Sequence, residues 1–255
     1  MKQFYRALGL GALVLLIQAC TSQGPSFRKN PVDDLIKDMT EVPDFSIILY
    51  DMNFDEQSEQ YQHQYRILKE PQGSDSILSE TTGWLQVSPE YFNEQVDNMG
   101  MTIVSKTNGT VDKKVSPPGY NQYVGNEKYG QWRQQSDGSS FWEFYGKYAF
   151  LRSVLGFGYS PIYYGGWYDY RRNYYPYGRT YYGTASSGRG NRFGTTGSHN
   201  SSRSTASTWN SKDQSFKNRV RSRVQRSASR SRTNRSGSRY RSGSSSRGRG
   251  FGGGK

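Results

Sequence analysis

The chain has 255 residues, with 34 Lys and Arg, 21 Asp and Glu, two His and one Cys. A single cysteine excludes an internal disulfide framework, and so few soft ligands make a zinc site improbable. Charge is distributed unevenly: Ser186 to Lys255 holds 17 basic residues against one acid, Asp213, a net +16, while everything before it sums to −3. The basic balance therefore describes an arm and not the body.

Residues 1–19 read as a signal peptide. Lys2 and Arg6 form a positive start, Ala7 to Ile17 an eleven-residue apolar run, and small Ala19 precedes Cys20. At 1.5 Å per residue such a run covers about half of a ~30 Å hydrocarbon core, too little to span it. Ile17-Gln18-Ala19-Cys20 resembles the lipobox of bacterial lipoproteins. The resemblance implies cleavage before Cys20 and acylation of its sulfur and new amino group, palmitate being an expected chain. It also implies an outer-membrane location, because Thr21 stands where an Asp would retain enterobacterial relatives at the inner membrane. Two or more acyl chains anchor stably where one does not.

Residues 20–29 then carry the lipidated Cys and a polar tether, and a small α+β domain is expected over 30–156. NPVDDLIKDMTEVP offers Asn30 as N-cap, Pro31 at the first helical position, and Val32, Leu35, Ile36 and Met39 on one face, ending at Pro43. DFSIILYDMNF is rich in strand formers. In EQYQHQYRILK, Tyr61, His63, Tyr65 and Ile67 alternate with polar residues, which predicts a half-exposed antiparallel strand. GWLQV predicts another strand, SPEYFNEQVDNMG a short helix capped by Ser88 with Gly100 at its end, and Asn108-Gly109 a type I′ hairpin. Residues 116–148 read as aromatic loop, although Phe141, Tyr145, Tyr148, Leu151 and Leu155 have helical spacing.

Residues 157–185 form a Tyr/Gly-rich collar. Twelve of the 26 residues from Phe157 to Tyr182 are aromatic, without helix or strand periodicity, and we expect this stretch to be mostly unstructured or weakly packed. Residues 186–255 form a Ser/Arg/Gly-rich tail with almost no branched aliphatics, expected to be disordered. Within it, Phe216, Val220 and Val224 recur every fourth residue on a cationic segment. That spacing fits either a short amphipathic helix formed on an anionic surface or a solvated charge run with three incidental apolar residues. GWLQVSPEYF, SPPGYNQYVGN, SSFWEFYGKY and FKNRVRSRV resemble segments of an uncharacterised group of Gram-negative lipoproteins, which implies no residue role.

No catalytic signature emerges and no cofactor is implied. An acylated Cys20 has no thiolate to attack with, and His63 and His199 fall in an exposed strand pattern and in the tail. The carboxylates of Asp33 to Glu59 lack the spacing of a calcium loop. An enzyme would need them to converge on a groove lined by Trp132, Phe141 and Trp142. The expected function is that of a non-enzymatic envelope lipoprotein of the outer membrane, attached through Cys20. Its tail cations Lys217, Arg219, Arg221, Arg223, Arg226, Arg230 and Arg232 would contact lipopolysaccharide, anionic lipid or acidic polysaccharide. The alternative is a nucleic-acid-binding protein that uses the same RS/RG-like tail; export would keep that tail away from RNA.

Overall fold

Asn30 opens the folded body: its side chain accepts the N–H of Val32 at 3.0 Å, Pro31 occupies a position that needs no N–H, and helix α1 runs Pro31–Asp38. The computed structural model describes residues 30–74, 76–158, 160–201 and 207–237, with side chains as far as 227. The stretch read as a signal peptide, Cys20 and the expected tether lie outside the described residues.

The architecture is α+β. Strands β1 (Asp44–Asp55), β2 (Gln60–Glu70), β3 (Leu78–Thr81), β4 (Leu85–Val87), β5 (Thr102–Thr107) and β6 (Thr110–Asp112) form one antiparallel sheet in the order β3-β2-β1-β5-β6, with β4 also on β2. Register is fixed by apolar cross-strand pairs, Ile47 with Ile67, Leu49 with Tyr65 and Phe54 with Tyr61. A bulge between Leu49 and Asp51 resets the pairing, so that Asp51 meets Gln64 and Met52 meets His63. Helix α2 (Pro89–Gln95) is capped by Ser88, whose hydroxyl accepts the N–H of Tyr91 at 3.1 Å. Between β5 and β6, Asn108 and Gly109 have φ of 50° and 77°, the two left-handed residues that the type I′ turn requires.

Both faces of the sheet are covered. On one, Phe45, Ile47, Leu49, Phe54, Tyr61, Tyr65 and Ile67 pack with Val32, Phe92, Trp209, Phe216, Val220 and Val224. On the other, Ile48 and Leu68 meet a layer built from residues 101–193. His63 shares the parity of Tyr61, Tyr65 and Ile67, so it is fully buried, which corrects its placement in an exposed pattern. Strand β3 had no counterpart among the expected elements.

The aromatic layer departs most from expectation. Gly130–Gln134 (β7) and Ser140–Phe144 (β8) pair as a hairpin where loop and helix were read, with Trp132 opposite Trp142. Only Phe150–Val154 (α3) of the expected helix is α-helical. Tyr164–Asp169 (α4), a π turn over Tyr170–Tyr174 and a 3₁₀ turn over Tyr175–Tyr177 follow. Phe157, Ile162, Tyr170, Tyr181 and Phe193 are buried, so the collar is packed and not loose. Its cohesion comes from rings meeting edge to face, such as Tyr120 with Tyr170 at 5.8 Å and with Phe193 at 5.6 Å, and large rings can bury area without sequence periodicity.

The basic tail, expected to be disordered, is folded over its described residues 186–201 and 207–237. A single turn, Ser198–Ser201 (α5), is followed by Thr208–Ser211 (α6) and by the 24-residue helix Gln214–Gly237 (α7). Phe216, Val220 and Val224 are at most 5% exposed against the sheet core. The three apolar residues are therefore not incidental to a solvated charge run: of the two readings the helical one holds, with the protein's own core as the apolar surface in place of an anionic one. Residues 238–255 lie outside the described residues.

Candidate functional site

The cations singled out in the sequence all fall on α7, and the fold brings most of those described against the body's acids. Asp213 starts the helix, accepting the N–H of Phe216 at 2.6 Å and the Ser215 hydroxyl at 2.7 Å, and these bonds hold its carboxyl below the usual range. Arg219 lies 3.6 Å from Glu56, Arg221 2.8 Å from Asp97 and Arg223 2.6 Å from Glu59. Lys217 donates to the Asn210 carbonyl at 3.1 Å. Arg226 joins Arg219, Arg223, Phe54, Glu56 and Ser215 in lining a groove of about 590 Å³ between the β1–β2 end and α7. Arg230 and Arg232 lie on the same helix beyond the last described side chain. Glu56, Glu59 and Asp97 are thus an acidic collar for the helix, a role that their sequence positions did not reveal.

Three of the remaining carboxylates, Asp51, Glu70 and Glu143, are each taken up by partners of their own. Asp51 is buried and accepts the Ser207 hydroxyl at 2.9 Å and the N–H groups of Thr208 and Trp209 at 2.5 and 3.1 Å. Glu70, also buried, accepts the Tyr129 hydroxyl at 2.7 Å and the Lys128 ammonium at 2.5 Å. Glu143, the acid beside Trp142, pairs with Arg133 at 2.6 Å. Trp132 instead packs against Tyr164 and Trp167. Among the described residues no three of His, Cys, Asp and Glu are grouped so as to hold a metal ion.

The two histidines are structural in setting. His63 Nδ1 lies 3.0 Å from the Tyr65 hydroxyl among Tyr91 and Phe92, and burial pushes its pKa down to about 3. His199 Nε2 lies 3.1 Å from the Leu155 carbonyl and its ring meets Phe157 and Phe193.

A second concavity was not foreseen, because it is built from the collar. A cleft of about 490 Å³ is lined by Tyr120, Tyr163, Asp169, Tyr181, Thr184 and Arg192, among others. Tyr181 is pushed up to about 12, first by burial and then by the neighbouring Asp169 carboxylate. An adjoining cleft of about 330 Å³ shares Tyr163, Ser186 and Arg192 with it. The signal was present only as composition: dense Tyr interleaved with Gly and Arg.

No helix among the described residues is long and apolar enough to cross a membrane. No protein-family model, curated protein or solved structure matches this chain.

Proposed function

We propose that this protein is a non-enzymatic, lipid-anchored module of the outer membrane, whose distal basic tail binds anionic envelope material: lipopolysaccharide phosphates, anionic lipid or acidic polysaccharide. The observation that carries the reading is the division of charge along α7. Among the described side chains, the cations engaged by Glu56, Glu59 and Asp97 are Arg219, Arg221 and Arg223. From Arg230 to Lys255 follow eight more Lys and Arg in a stretch with no acid. The proximal part of the tail then serves as a clamp on the body, and the distal part as the surface-seeking arm.

At the other end, nine mostly polar residues, Thr21 to Lys29, separate Cys20 from the cap of α1. Fully extended, they reach roughly 30 Å, enough to hold the body clear of a bilayer while Cys20 remains in it. The mechanism is two-point attachment: acyl chains at one end, and at the other a cationic segment worth about 1 kcal/mol per engaged charge near an anionic surface. Deleting 228–255 should leave the body folded and membrane-extracted Cys20 acylated by mass spectrometry, while salt-sensitive binding to lipopolysaccharide-containing vesicles is lost. Undiminished binding by the truncated protein sinks the arm, and a free Cys20 thiol sinks the anchor.

A further inference from the structure

The Tyr120 side chain is 1% exposed, and its hydroxyl has no hydrogen-bond partner among the described residues. A buried hydroxyl left in that state is costly, and a group that bears this cost at the wall of a cleft is one that a ligand can satisfy. Tyr120 lines the 490 Å³ cleft, and a second hydroxyl, that of Tyr181, approaches the same spot. A methyl placed on Gly166 would sit 3.7 Å from the Tyr181 oxygen and 3.9 Å from the Tyr120 oxygen. The absence of a side chain at Gly166 therefore keeps open a recess faced by two phenols.

Three further features give the recess its chemistry. Arg192 borders both clefts. Its Nη2 donates to the Pro161 carbonyl at 2.6 Å, which fixes the guanidinium while its planar fork has other N–H groups to offer. Asp169 is held at the rim by the Asn173 amide at 2.8 Å. Tyr163, 40% exposed, presents a ring at the junction of the two clefts. An exposed ring face suits the C–H face of a pyranose, paired phenols and a carboxylate suit its hydroxyls, and a fixed guanidinium suits a carboxylate. The volume lies within the range of small-ligand sites.

We infer that this tyrosine-walled cleft is a binding site for a carboxylated sugar, seated on Tyr163 with its acid at Arg192 and a hydroxyl on Tyr120. The site stands apart from the α7 cations and does not depend on how the chain is anchored.

The test is a titration of the folded protein with methyl β-D-glucuronide, N-acetylmuramic acid and neutral methyl β-D-glucoside, followed by the tyrosine and tryptophan signals of the NMR spectrum. At least one acidic sugar should saturate, with a dissociation constant on the order of 1 mM, and the glucoside should bind about tenfold more weakly. Which acid binds more tightly tells a uronate polymer from a muramate source. Tyr120→Phe removes an unpaired hydroxyl, and Gly166→Ala adds a helix-favouring methyl inside α4, so both variants should melt at or above the parent temperature. Each should nevertheless lose about tenfold or more in affinity. Absence of saturation by either acidic sugar, glucoside binding equal to theirs, or unaltered affinity in both variants overturns the assignment.

Discussion

The carboxylate of Asp51 accepts the backbone N–H of Trp209 across 158 positions of sequence, together with the N–H of Thr208 and the hydroxyl of Ser207. A bulge in β1 precedes Asp51, and the bonds it makes fix the turn from which Trp209 enters the core and α7 departs. Asp51→Ala would leave the buried Trp209 N–H and the half-buried Thr208 N–H without this acceptor. Hydrogen bonds to charged groups contribute about 1.5 to 3 kcal/mol each, so the variant should lose on the order of 3 kcal/mol in urea unfolding. Amide exchange should accelerate along α7 before it does in β1 or β2. A loss below about 1 kcal/mol would mean that the docking of α7 rests on its apolar stripe alone.

That stripe makes its own prediction. Val220 and Val224 are 3% and 0% exposed, and α7 packs on α2 and the sheet core through them and Phe216. Val224→Ala should cost about 1 to 3 kcal/mol of unfolding free energy, because the methyls removed leave a space that a helix clamped between Asp51 and Arg223 cannot collapse into. Truncation after Ser227 should change stability little, whereas truncation after Ser211 should expose the core and bind hydrophobic dye. A tail that was only a solvated charge run would show no difference between the two truncations.

The local signals in the chain were legible where a short motif closes its own structure. Asn30-Pro31 and Ser88-Pro89 cap α1 and α2, the alternation of Tyr61, His63, Tyr65 and Ile67 marks one buried face of β2, and Asn108-Gly109 makes its turn. The same alternation assigns His63 to the buried face, and the polarity of imidazole is what obscured this. The collar was illegible because its order is non-local: Tyr170 packs on Tyr120, and the Tyr182 hydroxyl donates to the Asn98 side-chain oxygen at 2.9 Å, partners 50 and 84 positions apart. The helical spacing of Phe141, Tyr145 and Tyr148 was coincidental, since pairing of Trp132 with Trp142 places Phe141 in a strand. Spacing made α7 visible in part, but what it packs on could only come from the fold. The tyrosine cleft needed the collar first.

Gly194 tests how firmly the segment that follows the collar is seated against Asp97 and Tyr182. Its φ is +83°, and a Cβ there would lie 2.6 Å from the Asp97 carbonyl and 2.8 Å from the Tyr182 ring, next to Thr195, whose N–H bonds that same carbonyl at 2.9 Å. Gly178 also has a left-handed φ, +62°, but open space around it. Alanine costs about 1 kcal/mol from backbone strain at either position. At Gly194 it must also displace backbone, so Gly194→Ala should melt lower than Gly178→Ala by several degrees. Equal melting temperatures would show that the 193–195 segment is free to move away from Asp97.

His63 makes stability depend on pH in a direction that can be worked out. In the unfolded chain its imidazole titrates near 6.5, while in the fold burial holds the pKa down at about 3, with Tyr65, Tyr91 and Phe92 around the ring. Above pH 6.5 both states carry neutral imidazole and the group contributes no pH dependence. As pH falls from 6.5 toward 3, the unfolded state gains a proton that the folded state refuses, so stability declines by up to about 1.4 kcal/mol per pH unit. Between pH 7 and pH 5 the parent should therefore lose about 2 kcal/mol more than His63→Phe, in which a ring of similar size fills the site without a titrating group. Carboxylates common to both proteins cancel in that difference. Parallel stability curves over this interval would mean that the buried imidazole accepts its proton without unfolding, and hence that the core around Tyr65 and Tyr91 opens to water more readily than its packing implies.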